Sequence, residues 1–311
     1  MIEIIPYAPQ YKMLWDEAVA ESRNGLFQHR RDYMDYHAQR FCDCSLLASD
    51  ARRRIIAVLP AHVSGDEVSS HRGLTFGGWL MTQRADMAAM MEVWASMAEY
   101  YRSRGWRSLY YRPSPHIYHR YPAEEDIYAL YRAGGTLKAV QVSSVVDNSC
   151  PRGFDMASRQ SVRKAAASGV EVGESADWAA FWTILSGRLQ ERYNAYPVHT
   201  LDEVLLLHER FPENIKLYAA TLEGRMIAGV VVYDCGTAVH SQYCASTDEG
   251  RSSRALPLLY RYILDVYASR RYFDFGTSNE DGGLVLNEGL IRQKCGFGGR
   301  AVAYNAYCIQ F

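Results

Sequence analysis

Between positions 272 and 299 the chain reads YFDFGTSNEDGGLVLNEGLIRQKCGFGG, a run that sets carboxylates, amides and a lysine among apolar positions. Asn279, Glu280 and Asp281 fall in a polar loop at 277–283, and Asn287, Glu288 and Lys294 stand among the apolar positions Leu284, Leu286, Leu290 and Ile291. A carboxylate can accept a proton, an amide can donate a hydrogen bond, and a lysine brings positive charge. Positioning these groups requires a buried strand, predicted at 272–275 from its alternating aromatics. It also requires a following helix, ended by the glycines around Phe297. A polar loop at the C-terminal end of a strand, leading into a helix, is the layout of a binding cleft in an open sheet. A solvated connection with Glu288 and Lys294 on different helix faces accounts for the same residues.

Composition bounds the rest. A chain of 311 residues, 48% of them hydrophobic, is long enough for two ordinary cores. Its formal net charge of −1 creates no global field toward nucleic acid or an anionic membrane. The basic residues are nearly all arginine, which makes Lys294 beside the CGFGG run less incidental. Seven cysteines without a C-x-x-C pair point to a reducing compartment, and Cys42 and Cys44 lack partners at a zinc-like spacing, so no metal is expected. The N-terminal MIEIIPYAPQYK is not a signal peptide, and no apolar run approaches the roughly 18 residues that span a bilayer. A soluble, cytoplasmic protein with no transmembrane segment is expected.

Helices are predicted at 9–21, 30–41 and 86–104, the last carrying Met87, Met90, Met91, Trp94, Met97 and Tyr101 on one stripe that reads as core. Strands are predicted at 45–48, 54–63, 71–80, 106–112 and 137–146. The loop after 112 concentrates His116, Tyr118, His119 and Tyr121, either as an acceptor groove or as a set of satisfied aromatics. A linker at 147–151 divides the chain into domains 1–147 and 148–311, with the last strand placed to pack back on the first. A basic helix at 158–169 with Arg159, Arg163 and Lys164 follows, then helices at 177–193 and 201–210. Strands at 215–221, 226–233 and 238–245 and a helix at 254–269 lead to the stretch described first. Each half runs from a basic turn to an apolar strand, a second strand, a long helix ending in basic residues, and an aromatic strand that opens into a polar loop. That order occurring twice is the signature of tandem duplicated domains of mixed α/β (α+β) class, each a mixed sheet flanked by helices.

With HRGLTFGGWL at 71–80, PHIYHRYPAEEDIYALYR at 115–132, RQSVRKAAASGV at 159–170 and the 273–299 run, the sequence resembles the FemAB-like (FemABX) proteins built from GNAT-type acyltransferase domains. The resemblance covers most of the chain. It implies two tandem GNAT-like domains and transfer of an acyl group to an amine. The donor is aminoacyl-tRNA in Fem proteins, whose acceptor is an amine of a peptidoglycan precursor, and acyl-CoA in GNAT enzymes. No tightly bound cofactor is implied; acyl-CoA or aminoacyl-tRNA would enter as co-substrate, with near-zero net charge weighing against tRNA. No long charged helical hairpin of the kind FemA and FemB use for tRNA is present, which makes FemX the closer relative.

The chain departs from the family at the donor loop. GNAT domains carry Q/R-x-x-G-x-G/A where backbone N–H groups hold a pyrophosphate, and here Arg251 opens the motif but Arg254 and Leu256 replace its glycines. Arg251, Ser252, Ser253 and Arg254 are the candidate donor-binding residues; Ser253 as a helix cap with solvated arginines explains them equally well. Glu288, Lys294, Asn279 and Asp281 are the catalytic candidates, and Asn287, Arg192 and Tyr193 join the loop aromatics as substrate-binding candidates. The leading expectation is an acyl or aminoacyl transfer to an amine of a cell-wall peptide precursor or similar acceptor. Acetyl-CoA-dependent acetylation of a small amine is the alternative within the fold. A non-catalytic ligand-binding module with a degenerate donor loop is the alternative outside it.

Overall fold

The computed structural model describes residues 2–70 and 72–311; His71, in the glycine-rich stretch predicted as a strand, lies outside them. The chain divides into two units, Met1–Val140 with Ala303–Phe311, and Gln141–Val302. Sequence places the boundary at 147, where the strand Thr136–Asp147 ends; the division by compactness falls within that strand.

The first unit opens with β1 (Glu3–Pro6) and α1 (Lys12–Glu21), the helix being entered through a 3-10 turn at Pro9–Tyr11 where proline's fixed φ suits a helix start. The helix predicted at 30–41 is one α-turn, α2 (Arg31–Met34), and a 3-10 stretch, Asp35–Arg40, kinked at His37. Ring packing accompanies the tighter winding: His37 lies 4.2 Å from Tyr36 and 4.9 Å from Phe41, centroid to centroid. Short strands follow: β2 (Cys42–Asp43), β3 (Leu46–Ser49), β4 (Ile55–Leu59), β5 (His62–Ser64), β6 (Glu67–Ser69) and β7 (Leu80–Met81). Strands β1, β3, β4 and β7 pair antiparallel in that order.

A parallel pair needs a crossover, and α3 (Met87–Ser103) supplies it between β6 and β8 (Ser108–Tyr111). Asp86 caps α3 by accepting from the N–H of Ala89, and Met90, Trp94, Met97 and Tyr101 bury its predicted stripe in the first core. Of the predicted strand at 71–80, residues 72–79 are not a strand, and extended pairing begins at Leu80. The Gly77 N–H donates to Arg112 O at 2.9 Å, and a Cβ at Gly77 would collide with Ser70 O. Glycine serves here for close backbone approach, which straps the loop along β8 instead of pleating it. Trp79 N–H donates to the Tyr111 hydroxyl at 2.7 Å, and that hydroxyl donates to Asp126 of α4 (Glu125–Arg132). Strand β9 (Thr136–Asp147) begins in this unit and ends in the next.

The second unit contains α5 (Met156–Ala167), β10 (Glu171–Glu174), α6 (Trp178–Tyr193) and α7 (Leu201–Arg210), the last opened by a capping box between Thr200 and Glu203. Three long antiparallel strands follow, β11 (Ile215–Leu222), β12 (Arg225–Asp234) and β13 (Ala238–Ser246). Two helices, α8 (Asp248–Ser252) and α9 (Ala255–Val266), cross to β14 (Tyr272–Thr277), which lies parallel to β13 and antiparallel to β9. The order β10-β11-β12-β13-β14-β9 buries Val230, Val232, Val239 and Phe273 against Leu259, Tyr260 and Ile263 of α9. A parallel pair crossed by a helix thus occurs in both units, as the repeated element order predicts.

The segment predicted to be helical from Leu284 is a small hairpin, β15 (Asn279–Glu280) and β16 (Val285–Leu286), before α10 (Glu288–Gly296). Gly282 and Gly283 take positive φ in its turn, and Asn287 starts the helix late by accepting from the Leu290 N–H. The final strand, β17 (Arg300–Gln310), pairs with β8 over Tyr307–Gln310. Among the described residues no helix is long and apolar enough to cross a membrane.

Candidate functional site

Pairing between β13 and β14 covers only Ala238–His240 against Tyr272–Asp274. Beyond that point β13 continues to Ser246 outside the β14 ladder, while β14 bends at Gly276, whose φ of +78° glycine alone adopts freely. Parallel strands that part at their C-terminal ends create the crevice in which open α/β sheets bind ligands. A cavity of about 520 Å³ lies at the end of β13, walled by the first turns of α5, the α8–α9 junction and α10. Arg251, Arg254 and Arg292 bring guanidinium groups to it, and Leu256, Pro257 and Phe297 give it an apolar wall. Cationic and apolar surface side by side suits a ligand with phosphates at one end and an apolar body.

The donor-loop residues divide. Arg251 is held by Asp248 and donates to Ser246 O at 3.2 Å, which fixes it at the cavity mouth. Arg254 adopts the left-handed conformation, φ +63°. The backbone there follows the path of a glycine loop with an arginine side chain added, at a strain of about 1 kcal/mol. The Ser252 and Ser253 hydroxyls donate to Glu249 O at 3.0 and 2.8 Å. Their hydrogens therefore go to the α8 backbone, which fits the structural alternative for these two residues. Gly250, which the sequence did not single out, permits the loop: a Cβ there would collide with Ile227 O of β12.

Lys294 is engaged by the backbone of β14. It is buried, and its Nζ donates to Gly276 O at 2.8 Å and Thr277 O at 2.9 Å, which secures the bend of β14. Burial lowers its pKa to about 8, against partial opposition from Cys244 and Asp274. A neutral amine still carries the two hydrogens these carbonyls need. Since the unfolded chain holds the Lys294 proton up to about pH 10.5 and the native state releases it near 8, this group's contribution to stability rises with pH across that window. Lys294→Met is expected to cost about 1–3 kcal/mol by leaving both carbonyls without a donor, and to remove that rise. Urea denaturation at pH 7.5 and pH 10 checks both effects.

Asn279 is likewise turned inward: its Oδ1 accepts from Val142 N–H at 2.6 Å and its Nδ2 donates to Gly283 O at 3.3 Å. Asn287 caps α10 and donates to Glu280 Oε1 at 2.9 Å, so it supports the hairpin instead of contacting substrate. Glu288, in the first turn of α10, and Asp281, in the hairpin turn, are exposed carboxylates. Arg192 lies over the exposed ring of Tyr193 at 5.3 Å, at the end of α6. In the first unit the four loop aromatics form no common groove. Tyr118 is a core residue against Phe76, and His119 faces Ser114 O at 2.9 Å with its pKa lowered by burial. His116 and Tyr121 point to solvent.

Sequence reasoning missed the most buried polar group at the point where the strands part. Asp274 is inaccessible to solvent; its Oδ2 lies 2.7 Å from His240 Nδ1, and its Oδ1 accepts from the Gly276 N–H at 2.8 Å and from the Ser143 hydroxyl. The available signal was a charged residue inside the aromatic strand YFDF, since an unpaired charge is not tolerated in a core.

With this geometry described, comparison with known proteins is informative. Residues 156–281 match the family model described as acetyltransferase (GNAT) domain. The crystal structure of FemX superposes with a TM-score of 0.70 at 12% identity, covering 99% of this chain and 97% of that one. The chain has the FemX fold: two GNAT-type domains in tandem. L-PGS from Bacillus licheniformis gives a TM-score of 0.60 at 11% identity over 97% of this chain and 91% of its own. A tandem GNAT protein from the clavulanic acid biosynthesis pathway gives 0.51 at 11% identity over 100% and 98%. Comparison with curated proteins finds no match. The parted strands and the cavity both lie in the unit that carries the GNAT family match.

Proposed function

We propose that this protein transfers an acyl or aminoacyl group to an amine of a cell-wall peptide precursor or a similar acceptor. The phosphate-bearing part of the donor would occupy the cavity at the end of β13. The observation that carries this reading is the placement of three arginines around that cavity, in the GNAT-type unit, beside strands that part. Likeness to FemX supports an aminoacyl donor and a peptidoglycan-precursor acceptor, and the GNAT match supports acyl-CoA. The exposed carboxylates of Glu288 and Asp281 would draw in and orient the ammonium form of the acceptor. Arg251, Arg254 and Arg292 would hold the donor through charge-assisted hydrogen bonds.

Product analysis with a lysine-containing peptidoglycan precursor, supplied with acetyl-CoA or with aminoacyl-tRNA, tests this function. An amide product from aminoacyl-tRNA alone supports the Fem-type reaction, and one from acetyl-CoA alone supports N-acetylation. A precursor that binds without product from either donor refutes catalysis and leaves a binding module. Arg254→Ala and Arg292→Ala are each expected to raise the donor KM by about tenfold, one charge-assisted contact, with little change in kcat.

A further inference from the structure

We propose that His240 is the general base of the transfer and that Asp274 is the positioning residue that fixes its tautomer. The inference rests on the acyl-transfer reading above. His240 and Asp274 form the last pair before β13 and β14 separate, so the imidazole stands at the apex of the crevice. A carboxylate only accepts hydrogen bonds, so the 2.7 Å contact between Asp274 Oδ2 and His240 Nδ1 places the hydrogen on Nδ1 and makes Nε2 the acceptor nitrogen. The Gly276 N–H and the Ser143 hydroxyl hold the other carboxylate oxygen, which prevents Asp274 from rotating away. Asp274 is fully sealed, whereas the His240 side chain keeps 11% of its surface exposed. A Cβ at position 276 would rest 3.4 Å from His240 Cε1 and 4.0 Å from Nε2. Glycine there keeps residue 276 off that edge of the ring.

Reach is also consistent. His240 lies six residues before Ser246, which lines the cavity, a separation of about 20 Å along an extended strand. A donor whose phosphates occupy the cavity and whose acyl group sits at the end of an extended arm along β13 would bring its carbonyl carbon to the imidazole. Past His240 the β14-facing edge of β13 is outside the β13–β14 ladder, so its backbone N–H groups are placed to receive the developing oxyanion. In the step, the acceptor amine nitrogen forms the C–N bond to the donor carbonyl and His240 Nε2 takes the proton the amine loses. The C–S bond of a thioester, or the C–O bond of an ester, then breaks, and the thiol or hydroxyl leaves with that proton.

The test compares wild type, His240→Gln and Asp274→Asn with acetyl-CoA and, separately, aminoacyl-tRNA as donor and the lysine-containing precursor as acceptor, with calorimetry of binding of each donor alongside. His240→Gln is expected to lower kcat by about 10²–10³-fold with the donor Kd within about twofold of wild type. Nitrogen-15 spectra of histidine-labelled protein, assigned against His240→Gln, are expected to show hydrogen on Nδ1 in wild type and on Nε2 in Asp274→Asn. Bound donor with an undiminished kcat in His240→Gln would overturn the base alone, as would hydrogen on Nε2 in wild type. Wild type that binds neither acetyl-CoA nor aminoacyl-tRNA and forms no product from either would overturn the acyl-transfer reading on which the base depends.

Discussion

Asp274→Ala is expected to lower the unfolding free energy by about 3–6 kcal/mol, the largest single-site effect in the second unit. Removing the carboxylate leaves the His240 Nδ1–H, the Ser143 hydroxyl and the Gly276 N–H buried with their acceptor gone, each at about 1–3 kcal/mol. The loss also releases the bend of β14, because Gly276 is held from its N–H side by Asp274 and from its carbonyl side by Lys294. Asp274→Asn keeps an oxygen for Ser143 and Gly276 and can donate to a His240 that has changed tautomer, so it should retain most of the stability. Urea denaturation of the three proteins at one pH separates these outcomes. Equal stability of Asp274→Ala and wild type would mean that the network is not holding the strand.

The second large effect belongs to the first unit. Burial raises the Asp126 pKa to about 7, with the Tyr111 hydrogen bond opposing the shift. A folded pKa above the unfolded value means that the native state binds a proton the unfolded chain has released between about pH 4 and pH 7. Stability from this group is therefore full below pH 4 and is lost as pH rises to about 7, by about 4 kcal/mol in all. Asp126→Asn keeps an acceptor for the Tyr111 hydroxyl and cannot ionise, so the difference between variant and wild type should grow from pH 4 to pH 7 in the variant's favour. Hydrogen exchange of α3 and β8 amides across that range reports on this unit by itself. A constant difference across the range would place the Asp126 titration elsewhere.

Much of the fold was legible because its signals are local. The α3 stripe, the aromatic strand β14 and the basic helix α5 each follow from the periodicity of a short window. The repeated order of elements led to tandem domains before any coordinates. Legibility failed where a residue's role depends on a partner far away in sequence. His240 and Asp274 are 34 positions apart, and the Tyr111 hydroxyl that donates to Asp126 accepts from the N–H of Trp79, 32 positions earlier in the strap. Lys294 stands out in the sequence by type and place, but nothing in its own helix shows that its partners are the carbonyls of Gly276 and Thr277. Ser252 and Ser253 looked like anion ligands by type and spacing, and only the three-dimensional path of α8 commits them to Glu249 O. Leu284, Leu286, Leu290 and Ile291 set the expected helix start at 284, after a polar loop at 277–283; the cap at Asn287 starts it later.

Calorimetric titration of the wild-type protein with acetyl-CoA, and in parallel with aminoacyl-tRNA, tests the donor site most directly. Saturable micromolar binding of one of the two is expected, weakened by about tenfold or more, 1.4 kcal/mol, when Arg251, Arg254 and Arg292 are replaced together by alanine. No binding of either donor, or an affinity indifferent to the triple replacement, would contradict a donor site at the end of β13.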